Sequence, residues 1–196
     1  MKNKKRVFWM NLVLVFALIA GLVLPATNVS AAGKQKKTSK KVLVVYFSGT
    51  GTTRSAAKKI RRATGGTLYQ IKAADPYTSA DLDYSNDNCR ANVEQKDGTV
   101  RPKIKGKVSN IRKYDVIFVG YPIWWGKEPM IIRTFLESYN LEGKKIVPFC
   151  TSGGSGISGS MKGVKAAAKG AEVVKGKDLT DLSGKSVERW AKKKVG

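Results

Sequence analysis

The chain has 196 residues, and its 37 Lys and Arg residues against 14 Asp and Glu residues leave a formal net charge of +23. It contains no histidine, which excludes His-based catalytic triads and most zinc sites, and no metal site is predicted. A positive charge of this size predicts attraction to anionic membranes, anionic wall polymers or acidic proteins. No nucleic-acid-binding motif accompanies the charge, so we expect no nucleic-acid partner.

Residues 1–31 have the three-part pattern of a secretory signal peptide. The basic cluster Met1–Arg6 precedes an apolar run from Val7 to Leu24, and the motif Val29-Ser30-Ala31 predicts cleavage before Ala32. Cleavage would remove four cations and no acid, which lowers the net charge from +23 to +19. The alternative is an uncleaved membrane anchor, because the apolar run is just long enough to span a bilayer. We therefore expect a secreted or otherwise extracytoplasmic protein.

The rest of the chain divides into a short tether and one domain. Residues 32–40 are basic and lack apolar periodicity, which predicts a flexible tether. Residues 41–196 have the size of a single domain. The two cysteines, Cys89 and Cys150, belong to no CxxC or metal-binding pattern, and the sequence leaves open whether they pair outside the cytoplasm.

From Lys41 onward, apolar β-rich runs alternate with amphipathic segments. The predicted strands are 42–47, 67–71, 116–119, 145–150 and 173–174. The predicted helices are 55–64, 129–139, 157–168 and a last one around 187–191, with a further helix around 82–94 followed by a long surface loop to 107. Alternating strands and helices predict a five-stranded parallel sheet with helices on both faces. Ligands of such sheets bind beyond the carboxyl ends of the strands.

The loop after the first strand is Ser48-Gly49-Thr50-Gly51-Thr52-Thr53. Its glycines permit tight turns, its hydroxyls are hydrogen-bond donors, and the following helix offers unpaired amides at its positive end. We expect this loop to bind a terminal monophosphate. It matches neither a Walker A loop nor a complete dinucleotide fingerprint, and the alternative is an ordinary capped turn.

The loop after the third strand is Tyr121-Pro122-Ile123-Trp124-Trp125-Gly126. Two adjacent Trp side chains point in different directions, so we expect one to stack on a planar ligand while the other packs beneath. We assign the stacking to Trp124. The alternative is that both indoles simply cover the sheet edge.

The loop after the fourth strand contains Thr151-Ser152-Gly153-Gly154-Ser155-Gly156. Together with Gly159 it formally matches GxGxxG, but Glu172 precedes the next strand instead of ending it, so a dinucleotide site is not predicted. We expect its backbone amides to bind the polar edge of a heterocycle. A monophosphate nest, an aromatic platform and a polar edge together match the outline of FMN.

These loops, in this order, resemble those of the flavodoxin family, specifically its short-chain branch with a Trp-Trp second loop. The resemblance runs from about Lys41 to Trp190. It implies a three-layer sandwich with strand order 2-1-3-4-5 and FMN as the cofactor. It places the phosphate on Ser48, Thr50, Gly51, Thr52 and Thr53, the flavin ring beside Pro122, Ile123, Trp124 and Trp125, and the polar ring edge at Thr151, Ser152, Gly153, Gly154 and Gly156.

The resemblance implies an electron-transfer protein in which the flavin does the chemistry, so no catalytic side chain is assigned. Two alternatives remain open: an FMN-dependent reductase that uses a nicotinamide or a quinone, and a cofactor-free module that binds an anionic surface. Familiar flavodoxins are acidic and cytoplasmic, whereas this chain is basic and predicted to be exported. The chain would therefore need an acidic redox partner or an anionic surface. FMN would be acquired after export or supplied by another system.

Overall fold

The structure is a computed structural model that describes residues 39–196. The predicted signal peptide and all but the last two residues of the predicted tether lie outside the described residues. Ser39 and Lys40, which end the predicted tether, are exposed.

The described residues form eight strands and five α-helices. The strands are β1 (Val42–Tyr46), β2 (Thr67–Gln70), β3 (Lys72–Ala73), β4 (Ile104–Lys105), β5 (Val116–Pro122), β6 (Lys145–Thr151), β7 (Glu172–Val173) and β8 (Lys177–Asp178). The helices are α1 (Thr52–Thr64), α2 (Arg90–Lys96), α3 (Met130–Glu137), α4 (Met161–Ala167) and α5 (Gly184–Val195), and short 3-10 turns lie at Ala80–Leu82, Ile111–Lys113 and Ser158–Ser160.

The main sheet has the order β2-β1-β5-β6-β7, and every neighbouring pair is parallel. This confirms the predicted order 2-1-3-4-5. Alternate residues of β1 enter different cores: Leu43 packs on the side of α3 and α4, and Val44 packs on the side of α1 and α5. The sheet is therefore the middle of three layers, and helices cover both of its faces.

The fifth position of the sheet is divided between β7 and β8, because both pair with β6. The carbonyls of Ile146 and Cys150 accept the amides of Val174 and Leu179. Pro148 lies between these two acceptors and faces the same edge, but it has no N–H to donate. The parallel pairing along this edge of β6 is therefore interrupted at Pro148. The strand predicted at 173–174 corresponds to β7 only, and β8 was not predicted.

Residues 75–107 differ from the predicted long helix and surface loop, and this prediction is wrong. The α-helix is confined to Arg90–Lys96. The carboxylate of Asp83 and the amide oxygen of Asn86 accept backbone amides two residues further on, and such Asx turns compete with helical hydrogen bonds. The predicted loop also contains β4, which pairs antiparallel with β3.

Within the described part of the chain, no helix is both long and apolar enough to cross a membrane. Cys89 and Cys150 are both buried and unbonded to each other. Burial, with a smaller effect from Asp178, raises the pKa of the Cys150 thiol well above its ordinary value. The thiol is therefore protonated at neutral pH and poorly reactive.

Candidate functional site

The three predicted loops follow β1, β5 and β6, which are consecutive neighbours in the sheet. Their carboxyl ends therefore meet at one edge, as expected for a ligand site in a parallel sheet. None of the three loops contains an Asp, Glu, Lys, Arg or Cys residue, and Tyr121, which begins the second loop, is fully buried. Whatever binds there is recognised by hydroxyls, backbone amides and aromatic surface.

The first loop forms a concave turn at the start of α1. Gly51 has a φ of 97°, a left-handed conformation that favours glycine. The Ser48 hydroxyl accepts the amides of Gly51 at 3.0 Å and of Arg54 at 3.4 Å. Gly51, the N-cap residue of α1, has no side chain, and the first turn has no acidic residue. Apart from the Arg54 amide that Ser48 accepts, the helix end therefore presents its first amides and its positive dipole outward.

The remaining residues of this loop occupy two environments. Thr50 and Thr52 are exposed, and their hydroxyls lie 3.5 Å apart. Thr53 is only 1% exposed, and its hydroxyl bonds that of Thr151 at 2.7 Å. Thr53 is therefore at the predicted place, but its side chain joins the first loop to the third, and only its backbone is available to an anion.

The second loop is a tight turn that presents one indole outward. Trp124 and Lys127 exchange backbone hydrogen bonds of 2.9 and 3.0 Å. Trp125 and Gly126 between them have φ values of 50° and 75°, which is the sign pattern of a type I′ turn. Trp124 is 3% exposed and Trp125 is 63% exposed. The structure thus reverses the order that we assigned: Trp124 packs beneath, and Trp125 is the indole available for stacking.

Helix α2 holds this turn in place. The Asn92 side-chain oxygen accepts the indole N–H of Trp125 at 2.6 Å, and its amide donates to the carbonyls of Tyr84 and Asn86. The Gln95 amide donates to the carbonyl of Trp124 at 2.8 Å. Asn92 and Gln95 are both buried, so these contacts fix the orientation of the exposed indole.

Aromatic side chains support the turn from below. The Trp124 ring meets Phe47 and Tyr77 edge-to-face, with ring centroids 5.6 and 5.4 Å apart, a favourable arrangement for aromatic pairs. The Tyr77 hydroxyl donates to Glu94. Burial first, and then this hydrogen bond, raise the pKa of Tyr77 far above its ordinary value. The phenol therefore stays neutral and acts as a structural donor.

The third loop is organised by Ser152. Its hydroxyl donates to Asp178 at 2.9 Å and accepts the amides of Gly154 and Gly156 at 3.1 and 3.0 Å. The Ser152 amide donates to the Thr180 hydroxyl at 2.8 Å. The amides of Gly154 and Gly156 are therefore engaged within the loop. Gly153 and Ser155 are exposed. Within the described residues of this loop, their backbone amides are available to a ligand.

Pro122 and Ile123 are half-buried at the end of β5, where Ile123 donates its amide to the Thr151 carbonyl at 2.9 Å. This bond joins the second loop to the third, and the Thr53–Thr151 pair joins the first loop to the third, so all three loops, including the exposed Gly49, lie at one rim. Sequence analysis missed four residues that brace the rim: Asn92, Gln95, Asp178 and Thr180. Only Asp178 and Thr180 carried a local signal, because an Asp-x-Thr sequence is typical of side-chain-capped turns.

The fold and this rim define a doubly wound α/β protein with a phosphate-type nest, an outward indole and a glycine-rich wall at the carboxyl edge of its sheet. A family model described as flavodoxin matches residues 41–194. The chain therefore belongs to the flavodoxin family.

Solved structures give the same assignment. A protein described as a flavoprotein from Bacteroides eggerthii is 47% identical, with a TM-score of 0.76, and the match covers 80% of this chain and 99% of that one. Its counterpart from Bacteroides uniformis is 43% identical, with a TM-score of 0.75 and coverage of 79% and 99%. A flavoprotein from Lactobacillus acidophilus, solved in complex with FMN, is 25% identical, with a TM-score of 0.55 and coverage of 78% and 99%. No match was found among curated proteins.

Proposed function

We propose that this chain binds FMN non-covalently at the three-loop rim and carries electrons through it. The observation that carries this proposal is that two features follow neighbouring strands: the exposed Trp125, held by Asn92, follows β5, and the N-terminus of α1, whose Gly51 N-cap has no side chain, follows β1. A planar ring and a phosphate are the two ligand groups that such a pair of features suits. Membership of the flavodoxin family and the FMN complex of the Lactobacillus acidophilus protein support the choice of flavin.

The residues present fit the cofactor group by group. The hydroxyls of Thr50 and Thr52 and the first amides of α1 would hold the phosphate. The Trp125 indole would stack on the isoalloxazine ring, and the amides of Gly153 and Ser155 would meet its polar edge. When bound, FMN supplies the one- and two-electron redox chemistry. The chain binds and orients the ring, and its loops contain no carboxylate, cysteine or lysine that would act as an acid or base.

A titration of FMN against riboflavin tests this assignment. Riboflavin has the ring but lacks the phosphate, so FMN should bind with sub-micromolar affinity (about −8 kcal/mol or better) and riboflavin much more weakly. Thr50→Ala should weaken FMN and leave riboflavin unchanged, whereas Trp125→Ala should weaken both. If FMN stays freely fluorescent at stoichiometric concentration, the cofactor-free binding module becomes the better description.

The predicted export and the charge of the chain bear on its redox partner. If the signal peptide is cleaved, the mature protein acts outside the cytoplasm and takes up FMN there. Its partner would be an acidic protein, because a basic carrier docks by charge complementarity. Fractionation of producing cells, with N-terminal sequencing of the FMN-binding species, tests the location and the cleavage before Ala32.

One further observation favours a reductase as the second candidate. A cavity of about 360 Å³ adjoins the phosphate loop at Ser48 and Gly49, and Tyr77, Lys72 and Lys105 are among the residues that line it. Such a volume suits a small ligand, and two lysines suit an anionic one. Rapid mixing of the FMN-loaded protein with NADH or NADPH separates the candidates. Direct bleaching of the flavin spectrum supports a nicotinamide reductase, and its absence supports a carrier.

A further inference from the structure

The edge of the sheet opposite the FMN loops carries two adjoining clefts lined by cations. One cleft, of about 610 Å³, lies against the end of α1, and the other, of about 460 Å³, lies at the start of β1. They share Gly65, Gly66 and Thr67 and form one continuous surface. We call this surface the basic edge, and its six cations are Lys40, Lys41, Lys58, Arg61, Arg62 and Lys113.

All six cations are exposed, and neither cleft has an acidic lining residue. Within residues 39–196, none of the six forms an ion pair with an Asp or Glu side chain. The nearby Asp115 accepts the backbone amide of Lys41 at 2.7 Å, and the Lys40 ammonium donates to the Gly196 carbonyl at 3.4 Å. These contacts offset only part of the charge of the six cations, so this surface keeps a net positive charge within the described domain.

Further lysines extend the basic edge along the same side of the sheet. Lys144 and Lys145 precede and begin β6, and Lys193 and Lys194 end α5. Burial, and then the neighbouring Lys145, Lys193 and Lys175, lower the pKa of the Lys194 ammonium. These cations repel one another, and the binding of an anionic surface would remove that repulsion.

The opposite side of the domain has a different charge pattern. Six of the 14 acidic residues lie between Asp75 and Asp97, in the segment that packs beside the FMN loops. Acidic residues are therefore concentrated in a segment away from the basic edge, although Lys72 and Lys105 also lie near the flavin rim. A field of this form orients the domain on an anionic surface.

The basic edge is also where the chain enters the domain. Ser39 and Lys40 line the second cleft, and residues 33–38 that precede them include three further lysines. The apolar run from Val7 to Leu24 stands only 14 residues before Ser39 in the full chain. Cleavage before Ala32 would remove the apolar run but would leave these cations, and a cluster of lysines and arginines attracts anionic phospholipid by charge alone.

We propose that the basic edge docks the domain on an anionic phospholipid bilayer, with the FMN rim facing away from the membrane. A bilayer fits better than a nucleic acid, because the two clefts are open and their aromatic lining residue, Tyr114, is buried and so unable to stack on bases. The docking does not require FMN, so it can be tested independently of the proposed function.

The test uses residues 32–196, which lack the apolar run. This piece contains the entire sheet and both helical layers, and the Bacteroides eggerthii relative, which is matched over 99% of its own length, corresponds to only 80% of this chain. Cosedimentation is measured with vesicles of phosphatidylglycerol and phosphatidylcholine, and with vesicles of phosphatidylcholine alone. We expect binding to the anionic vesicles only, and weaker binding as salt is added.

Two triple variants with equal changes of charge locate the contact. Lys41→Glu/Arg62→Glu/Lys113→Glu should weaken vesicle binding about a hundredfold, as expected for three lost cation contacts. Lys103→Glu/Lys162→Glu/Lys185→Glu changes three exposed lysines away from the basic edge and should change binding only a few-fold. Circular dichroism and FMN titration confirm that both variants fold.

Four results would each overturn part or all of the proposal. Equal loss in the two triple variants would mean that net charge alone drives binding. Equal binding to neutral vesicles would exclude an electrostatic contact. Tighter binding to duplex DNA than to anionic vesicles, lost in the basic-edge variant, would assign the surface to a polyanion instead. Weakened FMN binding on anionic vesicles would contradict the orientation with the FMN rim outward.

Discussion

The hydroxyls of Thr53 and Thr151 meet 2.7 Å apart in the buried interior and join the first turn of α1 to the end of β6. These two residues belong to the first and third FMN loops, and they are 98 residues apart in the chain. Their hydrogen bond sets the separation between the phosphate nest and the loop that would meet the ring edge. The geometry of the site therefore depends on a contact that lies beneath it.

Removing either hydroxyl alone should lower the free energy of unfolding by more than half of what removing both would. Thr53→Val or Thr151→Val leaves the other buried hydroxyl unsatisfied and should lower the free energy of unfolding by about 1–3 kcal/mol. The double variant should cost less than the sum of the two, because it leaves no orphan. Urea denaturation of the four proteins measures this coupling, and strict additivity would contradict it.

The Asn92–Trp125 hydrogen bond should strengthen FMN binding, although Asn92 itself would not contact the ligand. Asn92→Leu keeps the volume but removes the acceptor for the indole N–H, and we expect FMN to bind about tenfold more weakly, which corresponds to one hydrogen bond. Asn92→Asp keeps that acceptor and should restore part of the affinity. Trp190→Phe, a change in α5 on the face away from α2, is the matched control and should leave the FMN dissociation constant unchanged.

Gly120 should tolerate no side chain. A Cβ at this position in β5 would lie 2.1 Å from the Phe149 ring, which is fully buried on the neighbouring strand. Gly120→Ala should therefore destabilise the domain by about 1–3 kcal/mol through overpacking. Gly184→Ala, at the start of α5 where a Cβ meets nothing within 4 Å, should be neutral or slightly stabilising. Thermal unfolding of both variants distinguishes the two sites.

The Arg101–Glu137 ion pair should give a small stability that depends on pH. Arg101 bonds both carboxylate oxygens of Glu137, at 2.6 and 3.0 Å. The hydrogen bonds and charge of Arg101 lower the pKa of Glu137 below its ordinary value. The pair therefore stabilises the fold above the unfolded-state pKa, and this contribution is lost as the pH falls through the folded-state pKa.

Because the two side chains are 34% and 38% exposed, the expected effect is only about 0.2–1 kcal/mol. Glu137→Gln should be less stable than wild type at neutral pH, and the difference should close as the pH falls below about 4. Glu142→Gln alters an exposed carboxylate without an ion-pair partner within residues 39–196. In urea titrations, its stability relative to wild type should not change with pH in this way. A difference that grows with acidity would reverse the assigned sign.

Local chemistry explains why some elements were predictable and others were not. The runs at 42–47 and 116–119 are apolar on both faces, so only a central parallel strand accommodates them. The segment 82–94 contains helix-compatible residues, but its Asp and Asn side chains close turns that stop the helix from starting before Arg90. Pro148 interrupts pairing on one edge of β6 only, and which edge it faces depends on the tertiary arrangement of β7 and β8.

The sequence by itself determined the order of the five strands of the main sheet and of the helices α1, α3, α4 and α5. It also determined the three loops at one edge and the chemical groups that those loops present. These follow from periodicity and turn chemistry, which act over a few residues. Only the tertiary structure decided that Trp125 and not Trp124 is exposed, that Thr53 bonds Thr151, and that Asn92 holds the indole. Those outcomes depend on contacts between residues that are 33 to 98 positions apart in the chain. A local sequence pattern cannot show which side chain becomes buried when such distant segments pack together.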